Sequence, residues 1–409
     1  MNRPIWQNPS IKFLIFLTLT YGVFLSLQIS AQQIPEKKSD AILSQPLPYK
    51  QCWFYKTKLS DNKIASDNES RLYIPVLFGK ITSIKASSGE KLWETDLGGE
   101  IVSDLIVGEE NKSIYVVTRS PIIDDGEKHP ENITEEISVE NGINNFNVIK
   151  LSSLSKNTGI TNWQITLNSK STANQKVFLS VVNNKIITAD QKGEITAVEE
   201  SGGEILWKKR TDLGSNNFRY FIQNNNLVQI SENRIFLISL KNSSVTLVKE
   251  IKSILTAIYL FNNNTLLLGD KKGELFVFDI SKKKEVWKSR YGAEVSNITF
   301  TPNGFLISSF DNFLYLISPK NGKKIWKKRL EGRLTIEPLI VNNTIIITSV
   351  GSSKASILDL SSGRLINQIY LSRDNYFVNQ SVLNNNLIVF PTALGLVSFG
   401  NSEKNCFGG

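Results

Sequence analysis

Few side chains of this 409-residue chain belong to the types that carry out acid–base, nucleophilic or metal chemistry. The cysteines are Cys52 and Cys406, and His129 is the only histidine. A single histidine supplies neither a multi-histidine metal site nor the acid–base step of a histidine-dependent hydrolase. The sequence also lacks the Gly-x-Ser-x-Gly turn of a nucleophilic serine and a glycine-rich phosphate loop. We therefore predict no catalytic and no metal-binding residues.

An acidic segment at residues 119–147 could bind a partner protein or a cation. It contains seven carboxylates against the cations Arg119 and Lys128, on a chain whose net charge is +9. The carboxylates lack the spacing of an EF-hand loop. The segment is expected to be either a solvated loop or a docking loop, because insertions in repeat proteins often form the binding face. The candidate docking residues are Asp124, Asp125, Glu127, Glu131, Glu135 and Glu136.

The elements that position these residues are indicated by a tryptophan that recurs about every 40 residues. It ends words such as SSGEKLW and KNGKKIW, and degenerate copies end at Leu247 and Asn367. The interval between Trp93 and Trp163 is wider than the others, and it contains the acidic segment. A fixed period in this range predicts a repeat architecture. The tryptophans are Trp93, Trp163, Trp207, Trp287 and Trp326.

Each repeat contains four short apolar runs separated by turn residues, which predicts four β-strands. In the fifth repeat the runs are ILTAIYLF, TLLLGD, ELFVFDI and EVWKSR. A glycine in the turn before most of the tryptophans suits a backbone that needs a positive φ. Four strands in about 40 residues describe one blade of a β-propeller, so the predicted fold class is all-β.

We predict eight blades, with the ring closed by pairing the N-terminal strand with the C-terminal blade. The last repeat holds only three strands after Asn367, and Trp53 lies in phase with the other tryptophans. Residues 51–59 are therefore expected to pair with residues 394–400 and complete blade eight. This pairing removes an open sheet edge, which would otherwise invite aggregation.

Cys52 and Cys406 lie beside these closing strands, and we expect them to form a disulfide across the ring closure. The chain-entropy model assigns such a long loop roughly 5 kcal/mol of stabilisation. Two unrelated thiols are the alternative.

The N-terminus has the pattern of an export signal. Arg3 and Lys12 precede an apolar run at residues 13–29, which is long for a signal core and short for a membrane span. Residues 1–31 are therefore either a signal peptide or a membrane anchor, followed by a linker at 32–50 and the propeller at 51–409. Either alternative predicts an exported protein of the periplasm, cell envelope or extracellular space.

The surplus positive charge is concentrated on predicted outer strands, in WKKR, KKKEVWKSR and KKIWKKRL. Lysine protects strand edges from pairing with other edges. Attraction to an anionic lipid, glycan or nucleic acid is the alternative. Aromatic residues are not interleaved with the cations as in a nucleic-acid stacking platform, and export also argues against that partner.

The words ITSIKASSGEKLWETDL and LDLSSGRL resemble the repeat of quinoprotein-type (PQQ-like) β-propellers, over nearly all of residues 51–409. The aspartate of that repeat survives only at Asp279 and Asp359. The resemblance implies that the five recurring tryptophans pack between adjacent blades. Trp53 is assigned as the corresponding anchor of the closing blade.

The family includes dehydrogenases that hold pyrroloquinoline quinone and calcium in the propeller channel. It also includes non-enzymatic propellers of this length, such as the propeller lipoprotein of the outer-membrane β-barrel assembly machinery. No calcium-ligand set or vicinal cysteine pair of those dehydrogenases maps onto this chain. We therefore predict an exported, monomeric, non-enzymatic scaffold without cofactor, which binds other envelope or extracellular proteins. A PQQ-dependent oxidoreductase and a glycan- or cell-wall-binding module are the alternatives.

Overall fold

In the computed structural model, the regular secondary structure of the described residues is almost entirely β-strand. The structure describes residues 49–67, 70–108, 112–121, 147–171, 176–211, 218–223, 225–231, 234–261, 264–384, 386–400 and 406. Within these ranges there is no helix with the length and apolar character needed to cross a membrane. The predicted signal peptide or anchor and nearly all of the predicted linker lie outside the described residues.

The first strand, β1 (Lys50–Lys56), belongs to the last sheet of the chain. Blade one contains β2 (Ala65–Ser66), β3 (Arg71–Val76), β4 (Lys80–Lys85) and β5 (Lys91–Asp96). Blade two contains β6 (Glu100–Ile101), β7 (Ile106–Val107), β8 (Ser113–Pro121), β9 (Asn147–Ser155) and β10 (Thr161–Ser171). Blade three contains β11 (Phe178–Val182), β12 (Lys185–Ala189), β13 (Glu194–Glu199) and β14 (Ile205–Arg210).

The next blades repeat the four-stranded pattern. Blade four contains β15 (Phe218–Gln223), β16 (Asn226–Ser231), β17 (Arg234–Ser239) and β18 (Val245–Glu250). Blade five contains β19 (Leu255–Leu260), β20 (Thr265–Asp270), β21 (Glu274–Asp279) and β22 (Lys284–Arg290). Blade six contains β23 (Val295–Thr301), β24 (Gly304–Ser309), β25 (Phe313–Ile317) and β26 (Lys324–Arg329).

Blade seven contains β27 (Leu339–Val341), β28 (Thr344–Ile347), β29 (Lys354–Asp359) and β30 (Leu365–Tyr370). Blade eight contains β31 (Val382–Asn384), β32 (Leu387–Thr392) and β33 (Gly395–Gly400), and β1 completes it. In this antiparallel pair Lys50 lies opposite Gly400 and Lys56 opposite Gly395. The predicted eight-bladed propeller and its closure by the two chain ends are confirmed.

Side-chain hydrogen bonds link consecutive blades at or beside their inner strands. Asn62 of blade one donates to the Ile101 carbonyl of blade two, at 2.8 Å. Thr256 of blade five donates to the Val295 carbonyl of blade six, at 2.7 Å. Blade eight reaches blade one through Asn384, whose amide donates to the Ser66 hydroxyl at 2.7 Å. These bonds join the inner ends of blades that the apolar core already holds together.

The core lies between blades, because the second and third strands of each blade are buried on both faces. Leu266, Leu268 and Phe278 of blade five, for example, pack against Val228 and Ile230 of blade four. Each sheet face can bury its side chains only against a neighbouring blade. No single blade is therefore expected to fold alone, as is general for repeat proteins.

Each outer strand contains a β-bulge, and in seven of the eight the bulged residue directly precedes the tryptophan position. In β26, Lys324 and Trp326 pair with consecutive residues of β25, so Ile325 is the extra residue. In blade four the bulge falls at Val248, after Leu247. A bulge twists an edge strand and hinders regular pairing with another strand. The outer edges are therefore protected by backbone geometry as well as by charge.

Candidate functional site

The predicted tryptophan anchors lie on outer strands and contact the turn of the following blade. The indole N–H of Trp53 donates to the Ala86 carbonyl at 2.9 Å, and that of Trp326 donates to the Leu360 carbonyl at 3.0 Å. Trp93 and Trp287 make the same bond, to the carbonyls of Lys156 and Pro319. In all four cases the acceptor lies three residues before the glycine of the turn. The indole rings cover these glycines. The ring and glycine pairs are Trp53 with Gly89, Trp93 with Gly159, Trp163 with Gly203, Trp287 with Gly322 and Trp326 with Gly363.

The contact between blades three and four departs from this arrangement. The turn of blade four carries Ser243, with φ of 53°, at the position that glycine occupies in five other turns. The Trp207 indole N–H is buried without a hydrogen-bond partner. No hydrogen bond therefore joins this indole to the Leu240 carbonyl, the position that accepts the indole N–H of four other tryptophans in their turns. Blade four ends in Leu247, so it also lacks a tryptophan for the turn of the next blade.

Cys52 and Cys406 are joined by a disulfide, with Cα atoms 4.8 Å apart and a sequence separation of 354. Cys52 is the bulged residue of β1, because Gln51 and Trp53 pair with consecutive residues of β33. The bulge turns this side chain out of the regular sheet alternation, toward the segment that follows β33. The bond lies beside the strand pair that closes the ring.

The acidic segment connects the second and third strands of blade two. β8 ends at Pro121 and β9 begins at Asn147. The candidate docking residues Asp124, Asp125, Glu127, Glu131, Glu135 and Glu136 lie outside the described residues. Their proposed role in docking stays a prediction.

The inner strands of blades four to six line a cavity of about 500 Å³ in the channel wall. Its polar end lies where these strands begin. There Arg219 donates to the Thr256 carbonyl at 2.6 Å, and Ser296 donates to the Leu334 carbonyl at 2.6 Å. Glu337 also lines the cavity and pairs with Lys63 at 3.5 Å. The polar groups at this end are thus largely engaged in contacts between blades.

The other end of the cavity carries an aromatic cluster, formed by Tyr259, Phe261, Phe300 and Phe305. The ring centroids of Phe261 and Phe300 are 4.9 Å apart, and those of Phe300 and Phe305 are 5.4 Å apart. Phe305 is buried, whereas Phe300 keeps 40% of its surface exposed. Offset and tilted contacts of this kind fix the rings in place. The cluster is therefore a rigid, partly exposed apolar surface on the inner strands.

The chemistry of this cavity favours recognition over reaction. Burial raises the pKa of the Tyr259 hydroxyl and that of the Tyr220 hydroxyl. Both phenols therefore stay neutral at physiological pH, as hydrogen-bonding groups at the edges of apolar rings. An activated nucleophile or general base would need a pKa shifted toward neutrality, the opposite direction for a phenol.

The described inner strands do not offer the oxygen ligands that a calcium-bound quinone would need. Calcium takes six to eight oxygens, several of them from carboxylates. In the described part of the chain, no three acidic, cysteine or histidine side chains are grouped as metal ligands. Asp104 accepts the Lys63 backbone N–H, and Glu337 pairs with the Lys63 side chain. We derive no quinone chemistry from these residues, and the absence of a cofactor stays a prediction.

The sequence did not single out the aromatic cluster. Phe261 directly follows β19 and Phe300 is the penultimate residue of β23, so both lie near the ends of the inner strands of two successive blades. Within the sequence they read as ordinary apolar strand residues. Phe300 corresponds to Leu260 of the preceding repeat and not to Phe261, so the repeat pattern carries no signal for the cluster.

Comparisons with known proteins agree with the propeller geometry. The family model described as outer membrane protein assembly factor BamB matches residues 43–258 and 244–387. The crystal structure of BamB from Moraxella catarrhalis superposes with a TM-score of 0.61 at 15% identity, covering 86% of this chain and 97% of that chain. The designed protein Ika8 gives a TM-score of 0.62 at 13% identity, covering 84% and 98%. The resemblance to PQQ-like propellers is confirmed.

A curated relative matches a short part only. Tetrathionate hydrolase of Acidithiobacillus ferrooxidans is 23% identical over 104 residues, which is 24% of this chain and 21% of that protein. The matched region thus spans about a fifth of the relative. A match of this extent carries no activity over to this chain.

Proposed function

Because the chain belongs to the family of outer membrane protein assembly factor BamB, we propose that it is an exported, non-enzymatic scaffold of outer-membrane protein assembly. It would act in the periplasm or cell envelope, where the predicted N-terminal segment directs it. Its partners would be other proteins of that assembly. The mechanism is rigid display, in which a stiff ring holds binding residues in fixed positions.

The aromatic cluster is the observation that carries this proposal within the structure. Exposed aromatic side chains with fixed rotamers are the residues that most often anchor protein interfaces. Phe300 is half-exposed yet held by Phe261 and Phe305, so little conformational entropy would be lost on binding. A partner segment with apolar side chains would fill the cavity beside it.

A photo-reactive amino acid at position 300 is expected to cross-link the chain to a component of outer-membrane protein assembly. The experiment is done in the organism that encodes the chain, and the product is identified by mass spectrometry. The side chain at this position is 40% exposed and faces the cavity, so a docked partner would lie within reach.

The matched control places the same photo-reactive residue at Leu206 on the outer strand of blade three. This side chain is 42% exposed, so solvent access alone predicts equal labelling. Labelling of an assembly protein from both positions, or from neither, would contradict docking at the aromatic cluster.

A glycan-binding function is the second candidate, because partly exposed aromatic rings beside a cavity also suit the stacking of sugar rings. Asn297 lines the same cavity and offers an amide group to sugar hydroxyls. Titration of the protein with soluble peptidoglycan fragments, read by quenching of intrinsic fluorescence, distinguishes glycan binding from protein docking. The protein-docking proposal expects no saturable response.

A further inference from the structure

The outer side of blades five and six carries a concentration of positive charge that docking at the channel does not use. We define the basic wall as residues 279–290 and 318–329, which are the outer strands β22 and β26 with the turns before them. The first range contains five cations and two carboxylates, and the second contains six cations and no carboxylate. The two strands belong to adjacent blades, so these charges share one side of the ring.

Neighbouring carboxylates neutralise little of this charge. Lys282 pairs with Asp279 at 3.3 Å, and Lys288 pairs with Glu274 at 3.3 Å. Of the cations in residues 318–329, none has a carboxylate partner among the residues that the structure describes. Two of them, Lys324 and Lys327, lie over aromatic rings, with Lys327 5.4 Å from the Phe313 centroid. A large uncompensated charge therefore faces solvent.

Protection of strand edges does not account for this charge. Every outer strand already contains a β-bulge, which is itself an edge-protecting device. The outer strand β30 of blade seven has no charged residue, and β18 of blade four has one lysine and one glutamate. Those edges need no lysine cluster. A binding role therefore explains the charge on blades five and six better than edge protection does.

Two aliphatic side chains project from the middle of the basic wall. Val286 and Ile325 are the bulged residues of their strands and are 58% and 52% exposed. Lysines flank each of them on the same strand. Cations that surround a protruding aliphatic side chain are typical of surfaces that lie on an anionic bilayer, where lysines contact phosphates and the aliphatic group enters the interface.

A polar cleft of about 570 Å³ borders the wall, between blades six and seven. Lys328, Arg329 and Lys354 line it together with Ser356 and Gln368. Lys354 pairs with Glu331 at 3.0 Å, which leaves the charges of Lys328 and Arg329 for an anion. The cleft has the size and charge to take a phosphate-bearing headgroup.

We propose that the basic wall docks onto a bilayer of anionic phospholipid. An acidic protein segment is a less suitable occupant, because the bulges interrupt regular addition of a strand to β22 or β26. Contact with a bilayer needs only a broad surface of cations with projecting aliphatic groups. Docking would hold the propeller against the membrane in one orientation, independently of any partner at the aromatic cluster.

The test is co-sedimentation of the full chain with vesicles of phosphatidylglycerol and phosphatidylcholine, against phosphatidylcholine alone. The wall variant combines Lys320→Gln, Lys323→Gln and Lys327→Gln. Since a lysine near an anionic surface contributes about fivefold in affinity, the variant should bind the anionic vesicles about 100-fold more weakly. Wild-type binding should also fall as the salt concentration rises.

The matched control variant combines Lys56→Gln, Lys85→Gln and Lys209→Gln, which remove the same charge from blades eight, one and three. It should bind like the wild type. The N-terminal segment is present in every protein compared, and binding to phosphatidylcholine alone measures its own affinity for lipid. Ile325→Ser should weaken binding while keeping the dependence on salt. Equal binding of the wall variant and wild type, or an equal loss in the control variant, would overturn the proposal.

Discussion

Removing the Cys52–Cys406 disulfide is expected to lower the free energy of unfolding by about 5 kcal/mol. The bond closes a loop of 354 residues, so it removes a large conformational entropy from the unfolded chain. It also lies beside the pairing of β1 with β33, which joins the two chain ends in one blade. The measurement compares denaturant unfolding of the oxidised wild type with that of a Cys52→Ala/Cys406→Ala variant.

The control repeats both unfolding curves in the presence of a thiol reductant. The reductant should shift the unfolding midpoint of the wild type toward that of the variant and leave the midpoint of the variant unchanged. The intact mass of protein purified from the envelope should correspond to the oxidised form. Two free thiols in that protein, or a midpoint unaffected by reductant, would contradict the account of ring closure.

Replacing Gly363 by alanine is expected to lower the free energy of unfolding by about 3 kcal/mol. Part of the cost is the left-handed backbone, since Gly363 has φ of +67°. The larger part is steric, because an added Cβ would lie 2.6 Å from the Trp326 ring. The ring would have to move and its hydrogen bond to the Leu360 carbonyl would weaken. The measurement is equilibrium unfolding in denaturant.

Gly98→Ala is the matched control for this substitution. Gly98 also has φ of +67°, but no atom lies within 4 Å of its added Cβ. It therefore reports the backbone cost alone, about 1 kcal/mol. The difference between the two variants measures the contact between Trp326 and the next blade. Equal destabilisation would show that this contact contributes nothing to joining the blades.

The sequence predicts the ring because most repeats contain the same pair of residues for packing one blade against the next. The tryptophan and the turn glycine four residues before it recur together, and the structure joins them across blades: the glycine of one blade lies under the tryptophan of the preceding blade. The incomplete last repeat and Trp53 likewise predict closure. Blade four shows the limit of the pattern, since its strands form with Ser243 and Leu247 at these positions while the Trp207 indole N–H lacks a hydrogen bond.

The aromatic cluster and the basic wall could not be predicted in the same way. Phe261 and Phe300 become neighbours only because consecutive inner strands lie side by side, a relation that no single repeat contains. The lysines of β22 and β26 are visible in the sequence, where edge protection explains them equally well. Only the bulges in every outer strand, including the uncharged β30, show that protection does not require them.

The abundance of β-barrel proteins in the outer membrane of the native host, with and without this chain, tests the central claim most directly. Deletion should lower that abundance, and the wild-type chain should restore it. Phe300→Asp should fail to restore it although the protein folds, whereas the similarly exposed Leu206→Asp should succeed. Unchanged abundance after deletion, or full restoration by Phe300→Asp, would contradict a scaffold that acts through its aromatic cluster.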